Sequence, residues 1–100
     1  MVKHIVMWKL KDSAEGANKK ENALKMKAAL EGLKNKIKEI KFLEVGLSIS
    51  DAPDFYDIVL TTEFKDLKDM AVYQKNPDHV KAAEYIGKVQ QERKVVDYIV

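Results

Sequence analysis

The sequence contains no cysteine, which excludes a disulfide framework, a thiol nucleophile, a thiolate zinc site and an iron–sulfur cluster. With two prolines and four glycines it also lacks a glycine-rich phosphate loop and a Gly-x-Ser-x-Gly turn. No apolar run approaches the roughly 20 residues that span a bilayer. The opening Met1 to Lys9 alternates where a signal peptide would run unbroken, so a cytoplasmic protein with no membrane partner is expected. The two histidines and scattered carboxylates have no metal-ligand spacing, and neither a metal nor a cofactor is expected. Charge of one sign is missing too: 18 basic against 16 acidic residues leave a net +2. Lys20, Lys27, Lys34 and Lys38 follow one flank of a helix, but the chain has a single arginine, Arg93, where nucleic-acid surfaces use several. The stripe reads as a solvated face, and no nucleic acid is expected as a partner.

What remains is the balance of a globular protein. One hundred residues, 46% hydrophobic and 34% charged, fit a single domain over residues 1–100. Val2, His4, Val6, Trp8 and Leu10 alternate with Lys3, Ile5, Met7 and Lys9, which predicts a strand with apolar residues on both faces. Asn18 and Glu21 have capping-box spacing, and Ala23, Met26, Leu30, Leu33 and Ile37 then predict an amphipathic helix of about five turns. Strand periodicity returns over Lys41 to Ser50 and, after a turn at Ser50 to Asp54, over Phe55 to Phe64. In the second of these, Tyr56, Ile58, Leu60, Thr62 and Phe64 form the core face. Asp66 caps a helix from Leu67 to about Lys75, with Leu67, Met70, Ala71 and Gln74 on its periodic face. Asn76-Pro77 restarts a helix that ends near Gly87, and Lys94 to Val100 closes the chain as a strand.

Strand, helix, strand, strand, helix pair, strand is the order of a ferredoxin-like α+β subunit, a four-stranded antiparallel sheet with helices on one face. Right-handed crossovers place the first and third strands side by side at its centre. The helix-free face then carries Ile5, Met7 and Val59, with Val95 or Ile99, rimmed by Asp57, Glu63 and Lys9. Such a patch exceeds what a monomer exposes, so a homodimer with its sheets face to face is expected.

Few residues carry chemistry. His79 falls in the first turn of the third helix, where the helix's positive end and burial disfavour imidazolium and leave a neutral general base. The plainer reading is a hydrogen bond within the loop between the helices. Tyr73 lies six residues earlier, across the Asn76-Pro77 break, and either polarises a carbonyl or is an ordinary amphipathic tyrosine. His4 shares the helix side of the first strand with Val6 and Trp8, where a lone histidine is usually a satisfied core residue. Asp57, on the face assigned to the dimer, is expected to pair with a lysine.

Val2 to Lys11, Tyr56-Asp57-Ile58-Val59-Leu60 with Phe64, and Tyr73-Gln74-Lys75-Asn76-Pro77-Asp78-His79-Val80 together resemble the stress-responsive dimeric α/β barrel (Dabb) family, over the whole chain. The tyrosine followed by Pro-x-His-Val is the most specific of these. The resemblance implies ferredoxin-like subunits paired as a dimeric α/β barrel. Plant members include a boiling-stable stress protein and a polyketide cyclase. In the cyclase, residues matching Tyr73 and His79 carry an aldol condensation, and a histidine matching His4 lines the cavity. Ile58 and Asn76 stand where the cyclase has further histidines, and Ala23, Ala28 and Ala29 lie near its bulky aromatics, so the likeness stops short of its substrate. What it implies here is a cofactor-independent cyclase, isomerase or lyase acting on a small carbonyl compound. His79, Tyr73 and His4 would be catalytic, and Val6, Trp8, Ile58 and Leu60 would line the substrate pocket. The alternative is a non-catalytic structural dimer in which His4, Tyr73 and His79 form one buried hydrogen-bonded group. A monooxygenase of the same architecture rests on fold analogy alone.

Overall fold

A computed structural model describes residues 1–100. The alternation at the start of the chain becomes β1 (Val2–Leu10), whose even residues are all buried. β1 pairs antiparallel with β5 (Ile58–Phe64) on one side and β6 (Gln90–Ile99) on the other, and β4 (Phe42–Leu47) extends the sheet beyond β5. The order β4-β5-β1-β6 puts the first and third long strands at the centre, the antiparallel ferredoxin-like α+β fold.

Between β1 and the first helix the chain makes a small hairpin of β2 (Ser13–Ala14) and β3 (Ala17–Asn18), where the sequence reads only as a polar connection. Glu15 and Gly16 both have positive φ, 51° and 75°, the geometry of a two-residue turn that glycine makes inexpensive at its second position. Asn22, fully buried, holds the hairpin by donating to the Ala14 carbonyl at 3.0 Å and accepting from the Tyr85 hydroxyl at 2.8 Å.

α1 (Lys19–Gly32) begins with the capping box that the spacing predicts: Asn18 accepts from the Glu21 amide, and Glu21 accepts from the Asn18 amide. It is shorter than five turns, because at Gly32, a poor helix former, the chain tightens into a 3-10 turn over Leu33–Asn35. Leu33 and Ile37 are buried all the same. β4 stops at Leu47 because Ser48 and Ser50 turn the backbone through their own side chains. α2 (Leu67–Lys75) and α3 (Pro77–Val89) meet at Asn76. On α2 the buried residues are Met70 and Tyr73, whereas Leu67 and Gln74 are exposed. The predicted face of this helix is therefore turned from the observed one.

Two assignments to the helix-free face change. β6 starts at Gln90 rather than Lys94, and its register sets Val95 opposite Val6 and Ile99 opposite Val2, on the helix side, so Val96 stands opposite Ile5 on the other face. Asp57 also leaves that face: its carboxylate accepts from the Leu10 amide at 2.8 Å and lies 3.6 Å from Lys19 Nζ at the start of α1.

Candidate active site

The junction of α2 and α3 follows from two residues. Pro77 disfavours helical backbone at the residue before it, so Asn76 is extended (φ −63°, ψ 132°) and α2 must end. Its side chain then accepts from the Asp78 amide at 2.9 Å, capping α3, whose first position Pro77 fills without wasting a donor. The bend brings Tyr73 and His79 together, with ring centroids 4.4 Å apart and planes inclined at 52°. His4 reaches Tyr73 from β1 at 6.4 Å between centroids, and Phe64 packs on the opposite side at 4.9 Å.

Each of the three polar rings is satisfied differently. His79 Nδ1 lies 3.1 Å from the Gln74 carbonyl, one of the carbonyls that the end of α2 leaves free. A carbonyl only accepts, so Nδ1 carries the proton and Nε2 is left with a lone pair. His4 Nδ1 donates to Asp97 Oδ1 at 2.5 Å, across the β1–β6 pair that sets the two residues opposite each other. Tyr73, with no exposed surface, donates its hydroxyl to nothing. His4, Tyr73 and His79 thus share one place without forming one hydrogen-bonded group.

Burial pushes the Tyr73 phenol up to about 12, against the opposing pull of the Arg93 cation, so it remains protonated at neutral pH. Burial is also the main cause that lowers His79 below the usual histidine value. The Gln74 carbonyl works against the shift, and charge on His4 and Arg93 adds to it. A neutral imidazole with a free Nε2 beside a protonated phenol is a base next to a hydrogen-bond donor.

These side chains border a cavity of about 240 Å³ between the sheet and the helices, below the roughly 300–1,000 Å³ of drug-sized sites. His4, Val6, Trp8, Leu60, Tyr73 and His79 line it. Ile58 does not: it is buried in the core two residues before Leu60 on β5, between Trp8 of β1 and Leu47 of β4, and has no place in this wall. Gln90 and Arg93 of β6, the α3 face around Ala82 and Ile86, and Leu30 of α1 also contribute to the wall. Sequence reasoning missed Arg93 because the strand that presents it was expected to begin one residue later, and missed Asp97 for want of a register. Trp8, a residue of this wall, carries at Nε1 a second buried donor with no partner. Leaving such a donor unmet costs about 1–3 kcal/mol. No three histidine or acidic side chains gather in a metal-binding group, and no helix is long and apolar enough to cross a membrane.

A ferredoxin-like subunit with a helix-junction histidine and tyrosine over a small cavity is the class this geometry defines. The chain matches the family described as Stress responsive A/B Barrel Domain (Dabb) over residues 2–100 and belongs to it. A dimeric protein of unknown function from Bacteroides fragilis is 34% identical, with a TM-score of 0.84 over 99% of this chain and 95% of that one. A dimeric ferredoxin-like protein from Thermobifida fusca (22% identity, TM-score 0.85, 99% and 90% of the chains) shares the fold. So does the hydroxynitrile lyase of Passiflora edulis (20% identity, TM-score 0.81, 99% and 92%). No curated protein matches the chain.

Proposed function

We propose that this chain is a cytoplasmic, homodimeric small-molecule-binding protein whose single domain, residues 1–100, moves a proton next to a carbonyl without a cofactor, as a cyclase, isomerase or lyase. The observation that carries this reading is the packing of the His79 ring, its Nδ1 turned to the Gln74 carbonyl, against the ring of Tyr73, whose hydroxyl has no partner. His79 takes a proton from the carbon next to the carbonyl; the C–H electron pair forms a carbon–carbon double bond as the carbonyl π pair moves onto oxygen. The enolate oxygen accepts a hydrogen bond from Tyr73, whose high pKa keeps the donor in place. Isomerisation returns the proton from His79 to carbon. In a cyclisation the enolate carbon attacks a second carbonyl and the proton goes to the new alkoxide, and a lyase runs that step backward. His4, fixed by Asp97, orients the substrate, while Val6, Trp8 and Leu60 shape its apolar part.

The homodimer accords with the dimeric relative at 34% identity and with the apolar side chains of the helix-free face, Met7 and Val96 exposed, Ile5 and Val59 half-buried. The reaction is tested by incubating the protein in deuterium oxide with small ketones, aldehydes and oxo acids and following exchange at the carbon next to the carbonyl. Exchange should be accelerated by the wild type and fall by about 10²-fold or more in His79→Gln and Tyr73→Phe, the range of general acid–base contributions. Equal exchange by the variants, or none by the wild type, rejects the reading.

A further inference from the structure

We propose that the ligand of this cavity is a small carbonyl compound that carries a carboxylate, its anionic end held by Arg93 and its acceptor oxygens met by Trp8 Nε1 and the Tyr73 hydroxyl. The inference rests on the carbonyl chemistry proposed above and adds what the other end of the molecule must be.

Three independent features point the same way. First, the lining residues include no aspartate or glutamate, while Arg93 and two histidines stand among them. Second, Arg93 makes no salt bridge. Its neighbours are already committed: Glu92 lies against Lys94, and Asp97, the carboxylate on the same face of β6, accepts from His4. The planar guanidinium is thus left with its donors free, and paired donors of that shape match a carboxylate. Third, the two buried side-chain polar atoms that lack a partner, Trp8 Nε1 and Tyr73 Oη, belong to residues of this wall, and both are able to donate. Two unmet donors and one free cation ask for acceptors and an anion, beside the lone pair that His79 Nε2 keeps for the proton.

The rest of the wall is mainly apolar, and about 240 Å³ limits the guest to a short-chain or single-ring molecule. Arg93 also lies close enough to pull down the titration of both Tyr73 and His79, so its charge is felt where an enolate would form. A 2-oxo or 3-oxo acid places a carbonyl and a carboxylate at the separation of one or two bonds, which lets one molecule reach both groups.

Trp8 is the only tryptophan, so its indole N–H gives a single proton NMR signal that reports on the cavity. The full-length protein is titrated with 2-oxopentanoate, pentanoate and 2-pentanone, which separate the carboxylate from the carbonyl. Both acids should move the indole signal downfield and saturate, with 2-pentanone at least tenfold weaker. Arg93→Gln should weaken 2-oxopentanoate at least tenfold, with Arg93→Lys in between. Arg93 is exposed on an edge strand, and an unchanged circular dichroism spectrum confirms that the variants fold. Binding of the ketone as tight as that of the oxo acid, unchanged binding by Arg93→Gln, or no response to either acid overturns the inference. Parallel samples in deuterium oxide separate the two ideas. Exchange with no preference for the acids sinks the anion site and leaves the proton transfer standing; a preference for acids without exchange does the reverse.

Discussion

Tyr73 is held where a structural tyrosine gains little, its ring fully buried and its hydroxyl without a partner. Removing an unsatisfied buried hydroxyl forfeits no hydrogen bond, so Tyr73→Phe should leave stability unchanged or raise it by up to about 1 kcal/mol while lowering exchange by about 10²-fold or more. Denaturant unfolding beside the exchange assay checks both halves, and a destabilised but active variant would favour a structural role. In an ultraviolet titration Tyr73 should be the last of the four tyrosines to ionise, near 12. His79 adds a pH dependence whose sign is fixed by its lowered pKa. Below about pH 6.5 the unfolded chain takes up a proton that the folded protein resists, so stability is fully present above that value and fades as pH falls through the folded pKa. The groups that face this ring are Tyr73 from α2, His4 from β1 and Arg93 from β6. Unfolding free energy measured between pH 5 and 8 should show the loss in the wild type and a smaller one in His79→Gln.

Among the elements, Asn76 ends one helix and starts the next, so its loss acts on both stability and site. Asn76→Ala should cost about 1 kcal/mol and also reduce exchange, because His79 sits within the turn it caps. Asn18→Ala removes a cap of the same kind from α1 at a similar cost, with exchange unaffected. Comparing the pair separates positioning from mere stability. The sequence displays these caps plainly, because a cap is a local contact between residues two or three apart. The β1 alternation is equally legible, since burial of one face repeats every second residue. The start of β6 is not: Gln90 to Arg93 are polar residues on an edge strand, where no burial pattern marks them as sheet. The β2–β3 hairpin is hidden for a related reason, being two residues per strand and held by the distant Asn22 and Tyr85. Candidate site residues on the central strand and at the helix junction could be picked from sequence. Arg93 and Asp97 depend on the register of β6 against the far end of the chain, opposite Trp8 and His4, and Ile58 shares the parity of Leu60 but not its place on the wall.

For the molecule as a whole, the helix-free face decides assembly. Met7 and Val96 are 39% and 54% exposed and lie with Ile5 and Val59 on a surface the helices leave uncovered. Light scattering at micromolar concentration should give about twice the 11.4 kDa of one chain. Val96→Lys should shift it toward a single chain by burying an unpaired charge. A mass near one chain for the wild type would contradict the homodimer.

The assembled protein is proposed to work through one chemical state, a neutral imidazole at His79 protonated on Nδ1 and open at Nε2. Nitrogen-15 NMR of the His79 ring across a pH titration reads both features at once. The expected result is a midpoint below 6.5, with the proton on Nδ1 above it. A midpoint above 7, or a proton resident on Nε2, would remove the base and with it the case for catalysis.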